Sequence, residues 1–179
     1  MTVQINVKNR ADVLCGRKRI GHFNGVAMVL MKLFSIIQPN NVYFGLKDAQ
    51  QVAVVDGMIR DFNLPVQLRT VETVREEDGL AKSSRNVYLT EKERKEAPAL
   101  YQSLIAAKEK IISGERNPQV IISAVKDFLQ KNTNGKVEYV EIYSFPDMKQ
   151  LDCLEGKFIM ALAVQYSKAR LIDNLIIEL

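Results

Sequence analysis

"NVYFGLKDAQQVAVVDGMIRDFNLPVQLRTV", residues 41–71, decides the fold class. Its opening "NVYFG" reads as a buried strand closing on Gly45. From about Asp48 to Phe62 the apolar residues Val52, Val55, Ile59 and Phe62 recur at helical spacing. "LPVQLRTV" then supplies a second strand, Val66–Val71. Strand, helix and strand within roughly 30 residues make a βαβ unit, whose crossover is right-handed and whose strands are parallel. In such sheets ligands bind beyond the carboxyl ends of the strands. Gly45–Gln51 leaves one such end and Arg75–Asn86 leaves the other, so both polar segments are expected at one edge of the sheet.

Upstream, Val3, Ile5 and Val7 alternate with polar residues, which predicts a short strand. A helix is predicted over about Asn24–Ile37, with Val26, Val29, Leu30, Leu33 and Ile37 on its inner face and Pro39 ending it. Downstream, Thr90-Glu91-Lys92-Glu93 is a capping box that opens a helix running to about Ile112. "SGERNP" breaks it, and Pro118 starts another helix to about Lys131. Val137–Ser144, Lys157–Gln165 and Arg170–Glu178 then read as three strands of an antiparallel meander. The pattern is α/β first and α+β later. It divides into residues 1–74, a polar loop and hinge at 75–89, and a C-terminal α+β domain at 90–179.

The bulk properties narrow the classes. Apolar residues make up 47% and charged residues 26% of 179, an ordinary globular composition. A net charge of +4 suits phosphate-bearing ligands, but the longest basic cluster, Arg17-Lys18-Arg19, is too short to argue for nucleic acid. Two distant cysteines and one histidine exclude a zinc site and point to a reducing compartment, the cytoplasm. No apolar run reaches the roughly 20 residues of a membrane helix.

Two segments could carry chemistry. In Gly45-Leu46-Lys47-Asp48 a glycine permits close backbone approach, the following helix offers unpaired N–H groups, and Lys47 adds a full charge. Together these make a phosphate site; alternatively Asp48 is only an N-cap, with Gln51 completing a capping box and Lys47 solvated. In "GLAKSSRN", residues 79–86, Ser83 and Ser84 can donate hydroxyl bonds, Arg85 a bidentate fork and Lys82 a point charge. Successive amides there can also form an anion nest. The plain alternative is a solvated linker before a capped helix. His22 is read as a helix-entry residue, and Glu76-Glu77-Asp78 as a solvated turn without a metal.

The wording and order of "RIGHFNGV", "YFGLKDAQQ", "VREEDGLAKSSRNVYL" and "ARLIDNLIIEL" resemble the pantoate–β-alanine ligase (pantothenate synthetase) family, over essentially all 179 residues. The resemblance implies a Rossmann-like nucleotidylyltransferase sheet followed by a small α+β domain. It implies ATP-dependent condensation of pantoate with β-alanine through a pantoyl adenylate, with Mg²⁺, in an enzyme that is a homodimer. Matched residue by residue, it places Gly45 and Asp48 near the ATP ribose, Leu46 in the ATP site and Lys47 at the phosphates. Gln51 holds pantoate, and Val74 offers backbone bonds to adenine. Lys82, Ser83, Ser84 and Arg85, the KMSKS-like loop, close over the phosphates, with Arg19 a weaker candidate. Many members have glutamate where Leu46 stands and methionine where Lys82 stands. The resemblance covers the C-terminal two-thirds of the family's length. Its HxGH motif and first strands are expected ahead of Met1, so the chain by itself is expected to be inactive. A non-catalytic nucleotide- or RNA-binding module of the same superfamily is the alternative.

Overall fold

The computed structural model describes residues 2–179. The chain separates into two compact units, one of residues 1–72 with 146–149 and one of 73–145 with 150–179.

The first unit is built on the βαβ element. β1 (Asn41–Gly45) and β2 (Gln67–Val71) pair in parallel, in a register that sets Gly45 opposite Val71. Their carboxyl ends are therefore side by side. α2 (Ala49–Asp61) connects them and buries Val52, Val55 and Met58. Phe62, expected inward, lies beyond the last helical turn and is 51% exposed. α1 (His22–Ile37) ends where Gln38 turns left-handed and donates its N–H to the Phe34 carbonyl.

α1 buries a face only partly the one expected: Leu30 packs against the core and Val26 is half-buried, but the inner face is turned by about one position. Phe23, Ala27 and Phe34 are inside, whereas Val29, Leu33 and Ile37 are exposed. Both sets recur at helical spacing, one position out of step. Phe23 and Phe34 belong to the wider side chains, which bury more apolar area. Ala27, Phe34, Val55, Met58 and Val66 form the unit's core. The expected strand at Val3–Val7 does not form; these residues are in no regular element. The Val7 N–H donates instead to the Asn24 side chain at 2.9 Å.

The second unit packs two helices on a meander, with a short third helix ahead of them. The Thr90 hydroxyl accepts from the Glu93 N–H, and the Glu93 carboxylate accepts from the Thr90 N–H at 2.8 Å, so the capping box forms as read. The helix it opens is not continuous: α3 (Glu91–Glu96) stops, and α4 (Ala99–Ile112) restarts after Pro98, which has no N–H to continue the ladder. α5 (Pro118–Asn132) begins with proline at its first position and the Asn117 side chain as cap. β3 (Lys136–Ser144), β4 (Lys157–Gln165) and β5 (Arg170–Glu178) run in order, antiparallel. Leu100, Leu104 and Ile111 of α4 and Ile121, Val125 and Leu129 of α5 meet Phe158, Met160, Leu162 and Val164 of β4 in one core. Among the described residues, no helix is long and apolar enough to cross a membrane.

Candidate functional site

In the first unit, β1 closes on Gly45 and a 3-10 turn over Leu46–Asp48 delivers the chain into α2. Gly45, Leu46, Lys47 and Asp48 thus occupy one turn at the carboxyl end of a parallel strand, with Gln51 on the first turn of α2. Gly45 has φ −73° and ψ 132°, which any residue adopts, and a Cβ added there meets nothing within 4 Å. The turn itself does not need glycine. Asp48 makes no side-chain cap bond, so the capping-box alternative for Asp48 and Gln51 is not formed. The amino end of α2 is left for other acceptors.

The neighbouring glutamine has a settled structural task. Gln50 is buried, and its amide nitrogen donates to the Arg10 and Val13 carbonyls at 2.9 and 2.7 Å. Gln51 is only half-buried. Arg10 is held in turn by Asp56 and Asp147, at 2.8 and 2.6 Å. These bonds pin the 10–16 segment against α2, and no local pattern announces them.

His22 is the first residue of α1, after Gly21 at φ 77°. Partial burial, and then the positive charge of Arg19, hold its imidazole below the ordinary 6.5, with Asp48 pulling the other way. Burial and the Arg19 charge both favour the neutral form. The same charges show that Arg19, His22 and the 45–48 turn lie in one electrostatic neighbourhood. A cavity of about 360 Å³ opens beside the start of α1, its lining including Lys8, Asp12, Arg17, Arg19 and Asn24.

In the second unit, residues 74–82 form a narrow hairpin. Arg75 bridges Ala81, the Lys82 N–H donates to the Val74 carbonyl at 2.9 Å, and the Glu76 N–H donates to Leu80 at 2.8 Å. The Val74 carbonyl thus already has one partner. Leu80 and Ala81 are buried, while Lys82, Ser84 and Arg85 are exposed. A 3-10 turn over Ser84–Tyr88 follows. The Ser83 hydroxyl accepts from the Arg85 N–H at 3.2 Å, and the Ser83 carbonyl accepts from the Asn86 N–H at 3.1 Å. Those two amides are occupied within the turn and do not form an open nest. What the segment presents outward is two cations and the Ser84 hydroxyl.

The acidic run is a mostly exposed turn, as read, but two of its carboxylates are paired. Glu76 and Asp78 both pair with Arg94 of α3, Asp78 at 2.5 Å. The Arg94 bond holds the Asp78 carboxyl below the usual range. Glu76 also accepts from Asn86, at 3.1 Å. Among the described residues, no group of three or more His, Cys, Asp or Glu side chains is placed to hold a metal ion.

A family model described as pantoate-beta-alanine ligase matches residues 1–176. A pantothenate synthetase from Geobacillus sp. (strain WCH70) is 60% identical over the whole chain, which covers 64% of that relative. The Bacillus subtilis (strain 168) pantothenate synthetase is 58% identical over 99% of the chain and 62% of its own length. Among solved structures, pantothenate synthetase from Thermus thermophilus superposes with a TM-score of 0.91 at 39% identity, over 97% of this chain and 63% of that one. A Francisella tularensis pantoate-beta-alanine ligase, crystallised with beta-gamma ATP and beta-alanine, gives 0.67 at 29% identity, over 97% of this chain and 57% of that one. The chain therefore spans under two-thirds of the length of these relatives, and it belongs to the pantoate–β-alanine ligase family.

Proposed function

We propose that the chain is the ATP-handling part of an enzyme that condenses pantoate with β-alanine. A pantoate carboxylate oxygen attacks the α-phosphorus of ATP, and pyrophosphate leaves. The β-alanine nitrogen then attacks the acyl carbon of the adenylate, loses a proton, and AMP leaves with the carboxyl oxygen it had gained. No covalent enzyme intermediate is needed. The protein's work is positioning and the stabilisation of negative charge.

The supporting observation is Lys47. A lysine on the turn between a parallel strand and an uncapped helix start is suited to a polyphosphate. In this reading Gly45 and Asp48 approach the ribose through that turn, with Leu46 in the ATP site, Gln51 holds pantoate and Val74 meets adenine. Lys82, Ser83, Ser84 and Arg85 engage the phosphates, and Arg19 is a lesser contributor. The neutral imidazole of His22 suits hydrogen bonding better than charge pairing. Leu46 acts through its backbone, so the absence of glutamate there does not count against activity.

Among the described residues no group of three or more His, Cys, Asp or Glu side chains is placed to hold a metal ion, so no protein ligand set for Mg²⁺ is assigned. Magnesium keeps several waters and binds through substrate phosphates in many nucleotide sites. It enters this proposal only as a companion of the triphosphate.

On the resemblance alone, the full-length enzyme is a homodimer, which sedimentation would check. The chain by itself folds but does not catalyse, since the family's HxGH segment lies outside it. The test is pantoate-dependent pyrophosphate exchange by the full-length protein and by the 179-residue chain. Exchange by the first and none by the second is expected. No exchange by the full-length protein rejects the ligase reading and favours a non-catalytic binding module. Equal exchange by both rejects the stated division of labour.

A further inference from the structure

Arg75 stands at the foot of the hairpin that carries Lys82–Arg85, yet its charge is not available to a ligand. One terminal nitrogen donates to an Asp173 oxygen at 2.7 Å and to the Gly79 carbonyl at 3.0 Å. The other donates to the second Asp173 oxygen at 3.0 Å. The guanidinium lies over the Tyr101 ring, 3.6 Å from its centroid. The Asp173 side chain, in the middle of β5, is 2% exposed and that of Arg75 16%. A cation so neutralised and enclosed cannot serve as counter-ion to a phosphate.

We propose that Arg75 and Asp173 are positioning residues, whose buried pair fixes the root of the 79–86 segment so that Lys82, Ser84 and Arg85 meet a polyphosphate in one preset geometry. The identity of that ligand rests on the ligase reading above. The guanidinium and the backbone of Arg75 grip the same strand of the hairpin, the first at Gly79 and the second at Ala81. At the far end, the Asn86 amide nitrogen donates to the Ala81 carbonyl and to Glu76, both at 3.1 Å. Residues 82–85 are thereby held at both ends and exposed between. β5 supplies the fixed reference, because Asp173 sits opposite Leu162 of the core strand β4. A buried pair adds little net stability over apolar side chains of similar size, so what it contributes is a defined geometry. A segment ordered in advance loses less freedom on binding.

Amide exchange of the 179-residue chain tests this without reference to activity. Asp173→Asn should speed exchange at Lys82, Arg85 and Asn86 by about tenfold or more, with β4 amides within about twofold of wild type. Since that variant leaves Arg75 unpaired, a second one, Arg75→Met with Asp173→Leu, restores apolar packing. The same local acceleration is expected there with β4 fully protected. Unchanged exchange at 82–86 in the double variant, or acceleration spread equally to β4, overturns the proposal. In the full-length enzyme the double variant should raise the KM for ATP about tenfold and leave that for pantoate unchanged. Equal changes in both overturn it. Absence of exchange activity in the wild-type enzyme would reject the ligase reading instead, and the amide data would still decide whether the pair positions the segment.

Discussion

Gly79 lies directly under the Tyr101 ring: a Cβ at position 79 would come within 2.8 Å of Tyr101 Cδ1. The same residue has φ 89°, a region costly to side-chain-bearing residues. Gly79→Ala should therefore destabilise the second unit by about 1–2 kcal/mol from the backbone alone, and more if the ring cannot move. Denaturant unfolding of the chain measures this. A midpoint equal to wild type would show that the hairpin relaxes freely around residue 79.

Acid stability follows from Glu93. Its carboxylate accepts from the Thr90 N–H and the Ser167 N–H, each at 2.8 Å, which lowers its pKa from 4.5 to about 2. A carboxylate depressed on folding stabilises the folded state above its unfolded pKa, and that contribution disappears as pH falls through the folded value. The Tm of wild type should decline as pH drops from 4.5 towards 2. Glu93→Gln keeps an acceptor oxygen but not the charge, so its Tm should be lower at neutral pH and decline less over that window. Parallel curves for the two proteins would remove Glu93 from the explanation.

The open space around Gly45 separates fold from function. Since its φ and ψ are ordinary and a Cβ meets nothing, Gly45→Ala should leave the Tm within a degree or so of wild type. In the full-length enzyme it should still raise the KM for ATP several-fold if, as proposed, the ribose approaches the backbone there. An unaltered KM would remove the reason proposed for glycine there.

Much of the architecture was legible because period and punctuation agree. Apolar runs separated by turns mark the meander, and Thr90 with Glu93 marks a helix start that forms bond for bond. α1 was not legible in the same way. Val26, Val29 and Leu33 recur as regularly as Phe23, Ala27 and Phe34, so spacing cannot choose which face is inside. The break at Pro98 was written in the sequence but outweighed by good helix formers on both sides of it. The candidate ligand-binding residues were legible as motifs, since Lys47 and Lys82–Arg85 lie on short contiguous turns. Their supports were not. Glu76 and Asp78 look solvated until Arg94 arrives from the next helix, and Asp173 meets Arg75 across 98 positions with no local signature.

Gln51 and Gln50 are adjacent but have opposite expectations. Gln51→Ala in the full-length enzyme should raise the KM for pantoate with little change in kcat, since the proposed role of the side chain is to hold ground and transition state alike. The stability of the chain should barely change. Gln50→Ala should instead destabilise it by about 1–3 kcal/mol, because two part-buried carbonyls each lose a donor from a buried side chain. A pantoate KM unaffected by Gln51→Ala retires that residue's role.

Lys47 gives the most direct test of the central claim, that the turn after β1 receives the phosphates of ATP. The measurement is the kcat of pantoate-dependent pyrophosphate exchange in the full-length enzyme, wild type against Lys47→Ala, with folding verified by circular dichroism. The ammonium interacts most strongly with charge that develops during transfer, so kcat should fall on the order of 10²–10³-fold. A folded Lys47→Ala enzyme exchanging at the wild-type rate would contradict the account.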